Sequence, residues 1–433
     1  MGGREETRRE EGNRRQAADD REEFRRIRQE IFARMDLTRE ISDEELRHMI
    51  SREVRGYARQ HSLSLERRAH MERQLFNSFR KLDILQELLD QPEITEILVN
   101  GYRKIFYEKQ GRLYLWEKSF DSEETLMNII QTIVGKQNRR VNEASPIVSS
   151  RLADGSRVHI ILRPVSLDGA SLSIRRFSRD PITMERLIRM HSISRQAARM
   201  LEILVQAGYN LFVSGGTGSG KTTFLNALSR YIPEEERVVT IEDAAELQLK
   251  HVPNLVRLET RGEGSGEADP ITVRDLIRTA LRMRPDRIIV GECRGGETLD
   301  MLQAINTGHS GSMSTGHGNS VADMLSRLET MTLMGGLELP IPAVRGQISH
   351  GLDLMVHLGR LRDHSRKLLD VQEIAGMEQG EIVLHPLLHF TEKGERHGKI
   401  YGTWEQQGRL LHREKLRAKG LEEAFRAVEQ GKD

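Results

Sequence analysis

The sequence predicts an α/β protein whose largest domain binds phosphate and whose smaller domain is α+β. The run GGTGSGKTT at residues 215–223 stands between a short apolar segment and a helical pattern, which is the strand, loop and helix context of a P-loop. Downstream, apolar strand patterns alternate with helical ones, as in a parallel sheet with crossover helices. Upstream, short alternating runs are separated by Asn-Gly and Asp-Gly turns, which favour antiparallel strands.

Composition narrows the class of protein. The chain has 433 residues, enough for two or three domains. Lys and Arg total 66 against 65 Asp and Glu, a formal charge of +1, so no bulk field favours nucleic acid and we expect no direct contact with it. The single cysteine, Cys293, excludes an internal disulfide and fits a reducing compartment. No apolar run approaches the length of a transmembrane segment, so we expect a cytoplasmic protein without one.

The first 178 residues divide into three parts. Residues 1–20 are almost all polar or charged, with both signs interspersed, which predicts a disordered tail. In residues 21–90 apolar side chains recur every three or four positions, which predicts a small bundle of three helices. Residues 91–178 combine alternating strand patterns with one amphipathic helix at 122–138 and are predicted to form the α+β domain.

Arginines recur at the strand ends and turns of that α+β domain. Most surface arginines only keep a protein soluble, but the planar guanidinium group also binds phosphate in a fork. One or more of them could therefore cover a nucleotide from this side. The residues concerned are Arg151, Arg157, Arg163, Arg175 and Arg176.

The rest of the chain is predicted to form a linker, the phosphate-binding domain and a C-terminal region. The linker, 179–193, is interrupted by Pro181, the domain covers 194–376, and the C-terminal region covers 377–433 with weak strand patterns and a charged helix at about 410–428. The strands of the domain are predicted at 210–214, 238–241, 287–290 and 311–315, and its helices at 195–207, 271–283, 297–306 and 320–334.

The glycine-rich run has the chemistry of a nucleotide site. Its glycines let successive backbone N–H groups and the positive end of the next helix face an anion. Lys221 is expected to reach the β- and γ-phosphates, and the Thr222 hydroxyl to bind Mg²⁺. A chance Gly/Ser-rich loop is disfavoured because a strand and a helix flank the run. The predicted nucleotide-binding residues are Gly215, Gly216, Thr217, Gly218, Ser219, Gly220, Lys221, Thr222 and Thr223.

Carboxylates and a histidine follow the predicted parallel strands. The strands end in Glu242-Asp243, Gly291-Glu292 and His317. Functional residues of such a sheet collect at the carboxyl ends of its strands, so these groups should converge on the terminal phosphate. Phosphoryl transfer needs Mg²⁺, a carboxylate that orients water and a compensating cation. The sequence therefore predicts an Mg²⁺-dependent NTPase.

The order of four motifs between residues 215 and 317 resembles that of the secretion-ATPase superfamily. This superfamily comprises the hexameric motors of type II secretion, type IV pili and conjugative transfer. The resemblance covers about residues 83–375. Three further runs, at 151–158, 172–177 and 282–287, are similar to the CpaF branch, which powers Flp (Tad) pilus assembly. The four motifs are the Walker A run at 215–222, the Asp box at 240–243, the Walker B run at 288–294 with Gly291 in place of the usual Asp, and the His box at 307–317.

The resemblance implies ATP as substrate, Mg²⁺ as cofactor and a RecA-like ATPase domain behind a PAS-like α+β domain. Glu242 would activate water and Glu292 would lie near Mg²⁺, although the sequence leaves open which of the two is the base. His309 and His317 would sense or position the γ-phosphate. The resemblance also implies that arginines of the N-terminal domain close over the nucleotide, for which the candidates are Arg157, Arg175 and Arg176, while Arg282, Arg284 and Arg294 would serve neighbouring subunits or the fold.

The resemblance further implies a homohexamer that hydrolyses ATP to drive pilus assembly or protein secretion. Its partner would be an integral-membrane platform protein, and the hexamer would lie at the inner face of the cytoplasmic membrane. The four-cysteine metal module of type II secretion members cannot form with Cys293 alone. The alternatives are a conjugative or DNA-transfer ATPase of the same superfamily and a nucleotide-binding scaffold with little turnover. A nucleic-acid motor is disfavoured by the near-neutral charge.

Overall fold

The computed structural model describes residues 22–431, except residues 37, 40, 62, 138, 177–181, 262–268 and 337. The predicted disordered tail, 1–20, lies outside the described residues. The chain divides into two compact units, Met1–Arg176 and Phe177–Asp433. Both contain helices and sheets, so the predicted mixed α/β class is confirmed.

The first unit begins with three helices, α1 (22–34), α2 (Asp43–His61) and α3 (Leu65–Arg80). Their apolar positions, spaced by three and four residues, bring one face of each helix into a common core, as the sequence pattern predicts. The Ser64 hydroxyl caps α3 by accepting from the Arg67 N–H group. The fully buried members of this core include Ile31, Leu46, Ile50, Val54 and Leu75.

The rest of this unit is an antiparallel sheet covered by one long helix. A short helix, α4 (Leu85–Leu89), lies within the predicted bundle range 21–90, but its leucines join the core of the sheet. The strand order is β3-β2-β1-β6-β5-β4, and α5 (Glu123–Gly135) buries its apolar face in the same core. The strands are β1 (Ile94–Asn100), β2 (Lys104–Lys109), β3 (Arg112–Leu115), β4 (Ile147–Arg151), β5 (Arg157–Ile161) and β6 (Ser171–Arg175).

The second unit is a nine-stranded sheet with apolar cores on both faces. The order is β15-β14-β13-β12-β7-β11-β10-β8-β9; strands β7 to β12 pair in parallel and β12 to β15 antiparallel. The strands are β7 (Leu211–Gly215), β8 (Val238–Glu242), β9 (Leu255–Glu259), β10 (Arg287–Val290), β11 (Met313–His317), β12 (Leu354–Arg360), β13 (Arg366–Glu378), β14 (Glu381–Arg396) and β15 (Lys399–Gln406). The helices are α6 (Met184–Arg189), α7 (Arg195–Gln206), α8 (Lys221–Ser229), α9 (Val273–Ala280), α10 (Glu297–Asn306), α11 (Val321–Leu333), α12 (Ile341–Gly351), α13 (Glu414–Ala418) and α14 (Glu422–Glu429).

Several elements of the second unit differ from the sequence prediction. Helix α6 lies inside the predicted linker, and the sequence prediction contains no counterpart of helix α12 or of strands β9, β12 and β13. The proposed boundary after residue 376 falls within β13, since β13 pairs with β14 and β14 with β15 in the same sheet. These strands were hard to recognise because few of their side chains are buried and charged residues interrupt any alternation. The predicted helix at 410–428 is divided into α13 and α14 at Gly420, whose φ is +68°.

Among the described residues, no helix is both long enough and apolar enough to cross a membrane.

Candidate nucleotide-binding site

The P-loop joins the buried strand β7 to helix α8 at the carboxyl edge of the parallel sheet. A Cβ atom at Gly215 would lie 2.5 Å from both the Leu358 carbonyl oxygen and the Ser219 hydroxyl oxygen, so only glycine allows this close approach. Gly220 starts α8 with a φ of +94°, a left-handed conformation that glycine adopts without strain. No side chain among the described residues caps α8. The N–H groups of its first turn therefore remain available to an anion.

Lys221 places its ammonium group inside this loop. The side chain is buried, and Nζ donates to the carbonyl oxygens of Gly215 and Gly216 at 3.0 and 3.1 Å. The same Nζ lies 3.4 Å from Nδ1 of His317, because the β7–β11 register puts His317 directly opposite Gly215. The loop thus holds one positive charge beside a strand-end histidine.

From His317 a row of charged contacts extends along the strand ends. Nε2 of His317 lies 2.8 Å from Oε1 of Glu292, close enough for an ion pair, although its angle leaves Oε1 without a hydrogen bond among the described residues. The other oxygen of Glu292 accepts from Arg294 at 2.6 and 2.9 Å, and Arg294 lies 3.5 Å from Asp243. Burial and the neighbouring Lys221 lower the pKa of His317, against the opposite effect of Glu292.

Glu242 lies deep in the same edge of the sheet. It is 4 % exposed, and its Oε1 accepts the N–H groups of Glu246 and Leu247 at 2.9 and 3.0 Å. Its Oε2 is buried and has no hydrogen-bond partner in the described part of the chain. Burial raises the pKa of Glu242 to about 7, against the effect of the two N–H donors.

Gly291 separates the two glutamates and explains why no aspartate stands there. A Cβ atom at position 291 would lie 2.9 Å from Cγ of Glu242. Glu242 therefore occupies the space that a side chain after β10 would need. Oε2 of Glu242 and Oε1 of Glu292 are both buried without a hydrogen bond among the described residues, although Oε1 of Glu292 lies 2.8 Å from Nε2 of His317.

The structure does not bring His309 to this edge of the sheet. His309 precedes β11, whereas His317 ends it, and a strand rises about 3.3 Å per residue. His309 therefore lies at the amino edge, opposite the P-loop, where its Nδ1 contacts the Ala304 carbonyl oxygen at 2.8 Å. The role predicted for His309 at the γ-phosphate does not fit this position.

The three predicted N-terminal arginines belong to the other unit. Arg157 stands opposite Arg175 in the β5–β6 register and opposite Arg151 in the β4–β5 register. Arg175 has a carboxylate beside it, since its Nε lies 3.8 Å from Oε1 of Glu96. Arg176 instead donates to the carbonyl oxygen of Ile94 at 3.2 Å, which gives it a structural partner.

Two functional features were missed in the sequence. Arg294, which was assigned to neighbouring subunits or the fold, contacts Glu292 in the site itself. Arg366 and Arg360 approach the P-loop from the β12–β13 hairpin, and Arg366 Nε donates to the Gly218 carbonyl oxygen at 2.8 Å. The apolar run at 352–358 was the available indication of β12. Its neighbour in the sheet could not be read from the sequence.

The residues present fit a nucleotide. A glycine cradle, a buried ammonium group and free helix N–H groups suit a chain of phosphates. Across the residues that the structure covers, no three His, Cys, Asp or Glu side chains are grouped so that they could hold a metal by themselves. Any Mg²⁺ here would therefore share its ligands between Thr222, a carboxylate, phosphate and water.

Comparison with known proteins agrees with this site. Residues 79–418 match the family described as type II/IV secretion system protein. A Mycobacterium tuberculosis protein whose name assigns it to conjugal transfer is 36% identical over 307 residues, covering 69% of this chain and 85% of that protein. The type IV secretion system protein PtlH of Bordetella pertussis is 33% identical over 318 residues, covering 67% of this chain and 93% of PtlH.

Solved structures give looser alignments. The VirB11 ATPase of Brucella suis is 28% identical and covers 69% of this chain and 97% of its own, with a TM-score of 0.37. The pilus retraction motor PilT with bound ADP is 19% identical, and the alignment covers 81% of this chain and 89% of PilT, with a TM-score of 0.49. The family is shown by the match over residues 79–418 and by the sequence relatives. On that ground, the chain belongs to the type II/IV secretion system protein family.

Proposed function

We propose that the protein hydrolyses ATP at the P-loop of its second unit. The observation that carries this proposal is Oε2 of Glu242, a buried carboxylate oxygen at the carboxyl edge of the sheet that has no hydrogen-bond partner among the described residues. Buried polar atoms without partners are rare and call for a ligand or water. At the same edge of the sheet Glu292 lies 2.8 Å from His317, which lies 3.4 Å from Lys221 of the P-loop, and a water attacking the terminal phosphate has to be held at this edge.

The residues divide the chemistry between them. Lys221 and the first turn of α8 bind the phosphates, and Thr222 and Glu292 would hold Mg²⁺, which when bound neutralises phosphate charge. Glu242, with a pKa of about 7, is the better general base, because a base works best when its pKa lies near the operating pH. Arg294 and His317 fix the orientation of Glu292 from either side.

The second unit is proposed to be a RecA-like domain, and the first a PAS-like domain behind a helical bundle. The parallel order β12-β7-β11-β10-β8 with the P-loop after β7 supports the former. The antiparallel sheet with one covering helix supports the latter. We further propose a homohexamer in which Arg157 and Arg175 close over the nucleotide, supported by their opposed register.

The hexamer is proposed to act at the inner face of the cytoplasmic membrane on an integral-membrane platform protein. Two branches of the superfamily predict different substrates. Pilus assembly of the Flp (Tad) type is supported by the three runs at 151–158, 172–177 and 282–287. Transfer of DNA is supported by the relative at 36% identity whose name assigns it to conjugal transfer. Purifying the full chain from membranes and identifying the protein that accompanies it distinguishes the two branches. A pilus platform protein would support the first branch, and a component of a DNA-transfer channel would support the second.

Steady-state phosphate release tests the central proposal. The purified chain is compared with Lys221→Ala and Glu242→Gln, and with Glu378→Gln as a matched control, because Glu378 is exposed at the end of β13. We expect turnover in the wild type and the control, and its loss in the two site variants. Wild-type turnover no faster than that of the site variants would favour a nucleotide-binding scaffold instead.

A further inference from the structure

The β12–β13 hairpin lies beside the P-loop on the side away from the carboxylates. Strand β7 has β11 as one neighbour and β12 as the other. His317 of β11 and Leu358 of β12 both stand opposite Gly215. Whatever the loop binds is therefore flanked by Glu292 and its partners on one side and by the hairpin on the other.

This asymmetry orients a nucleotide. If the terminal phosphate points toward Glu242 and Glu292, as the proposed function requires, the phosphate chain runs across the loop toward β12. The nucleoside half then leaves the loop on the β12 side. Beyond Leu358 the chain continues through Arg360, turns over residues 361–365 and returns with Arg366.

Two arginines stand at the base of that turn. Arg360 and Arg366 are directly opposite each other in the β12–β13 register, and Nη2 of Arg360 lies 3.2 Å from Nδ1 of His364 in the turn between them. Arg366 Nε donates to the Gly218 carbonyl oxygen at 2.8 Å. A Cβ atom at Gly218 would lie 3.6 Å from Nη1 of Arg360, and one at Gly220 would lie 3.4 Å from Cδ of Arg366. Arg366 thus contacts the loop itself, and Arg360 lies next to it.

The turn between these arginines is held by strands β14 and β15. The Asp363 carboxylate accepts from the Ser365 N–H group at 2.9 Å and from the Ile400 N–H group of β15 at 2.9 Å. Arg362 pairs with Glu392 of β14 at 2.6 Å. Strands β14 and β15 therefore hold the turn beside the P-loop, which gives the C-terminal strands a place in the site.

We propose that Arg360 and Arg366 form the contact surface for the nucleoside half of the bound nucleotide. A guanidinium plane stacks on a base and also pairs with phosphate or ribose oxygens. Arg366 additionally holds the loop through Gly218. This inference rests on the proposed function, because the direction of the nucleotide follows from the carboxylate side.

The test compares a ligand that has a nucleoside with one that lacks it. Affinities for ADP and for inorganic pyrophosphate are measured by calorimetry on the full chain, with Arg360→Ala, Arg366→Ala and Arg366→Lys. We expect each variant to bind ADP on the order of tenfold more weakly, which is typical of losing one stacking contact on a base. Arg360→Ala should bind pyrophosphate like the wild type, and the Arg366 variants, which also lose the contact to Gly218, should lose less affinity for pyrophosphate than for ADP. Arg366→Lys keeps the charge but not the plane, so it covers the case in which an alanine variant fails to fold.

Arg396→Ala is the matched control, since Arg396 is an exposed arginine of β14 that stacks on Tyr401 rather than approaching the P-loop. It should bind both ligands like the wild type. An equal loss of both ligands in the Arg360 and Arg366 variants would overturn the inference, because the arginines would then only brace the loop. Unchanged binding of both would overturn it as well. A wild-type chain that binds neither ligand would instead contradict the proposed function.

Discussion

Replacing Gly291 with alanine should damage catalysis while leaving nucleotide binding intact. The added Cβ would lie 2.9 Å from Cγ of Glu242, whereas carbon atoms in contact stay about 3.5–4.0 Å apart. Glu242 would therefore have to shift by roughly 0.5–1 Å. Misplacement of a catalytic group by about 1 Å can reduce the rate about 100-fold. We expect kcat for ATP hydrolysis to fall by about that factor in Gly291→Ala.

The affinity for ATP should stay at the wild-type value, since residue 291 follows β10, which β11 separates from the P-loop strand β7 in the sheet. Overpacking of a buried site costs about 1–3 kcal/mol of stability, so thermal unfolding has to be measured in parallel. Gly346→Ala is the matched control, because nothing lies within 4 Å of a Cβ atom at that helical position. A folded Gly291→Ala variant that hydrolyses ATP at the wild-type rate would refute the role assigned to Glu242.

Three further predictions concern titration, the histidines and the core. Since the folded-state pKa of Glu242 is raised from 4.5 to about 7, activity should rise with pH through about 7. Between pH 4.5 and about 7 the folded protein binds more protons at Glu242 than the unfolded protein does, so the contribution of this carboxyl group to stability falls as pH rises. The melting temperature of Glu242→Gln should therefore exceed that of the wild type at about pH 8 but not at about pH 4. His317→Ala should lower kcat on the order of tenfold, the worth of one contact to a charged group, while His309→Ala should keep it; equal losses in a phosphate-release assay would contradict the placement of His309. Arg287 is 1% exposed and pairs with Glu236, so Arg287→Ala should reduce the free energy of unfolding by about 3–5 kcal/mol in a denaturant titration, and a smaller loss than 1 kcal/mol would contradict this.

The local part of the site could be predicted from sequence. The P-loop glycines, Lys221 and Thr222 are consecutive, and their chemistry depends on backbone geometry that nine residues are enough to specify. Strand ends at Glu242 and Glu292 could be placed because buried parallel strands are short apolar runs. His309 was misplaced for a related reason. A motif does not show at which end of its strand a residue lies until the strand itself is located.

The hairpin arginines could not be predicted because their role depends on which strands are neighbours. Arg360 and Arg366 are more than 130 residues from the P-loop in the sequence. They reach it only because β12 pairs with β7. The same holds for β14 and β15, whose few buried side chains leave a weak pattern although they complete the sheet.

The sequence by itself determined the α/β class, the phosphate-binding loop and the carboxylates that accompany it, since these depend on local periodicity and on residue types at fixed spacing. Tertiary structure alone decided which groups meet. It buried Glu242 against Gly291 and so raised its pKa, it put His309 at the far edge of the sheet, and it brought the β12–β13 hairpin to the loop. The physical reason is that desolvation and strand pairing are properties of spatial neighbours, which a linear chain does not order.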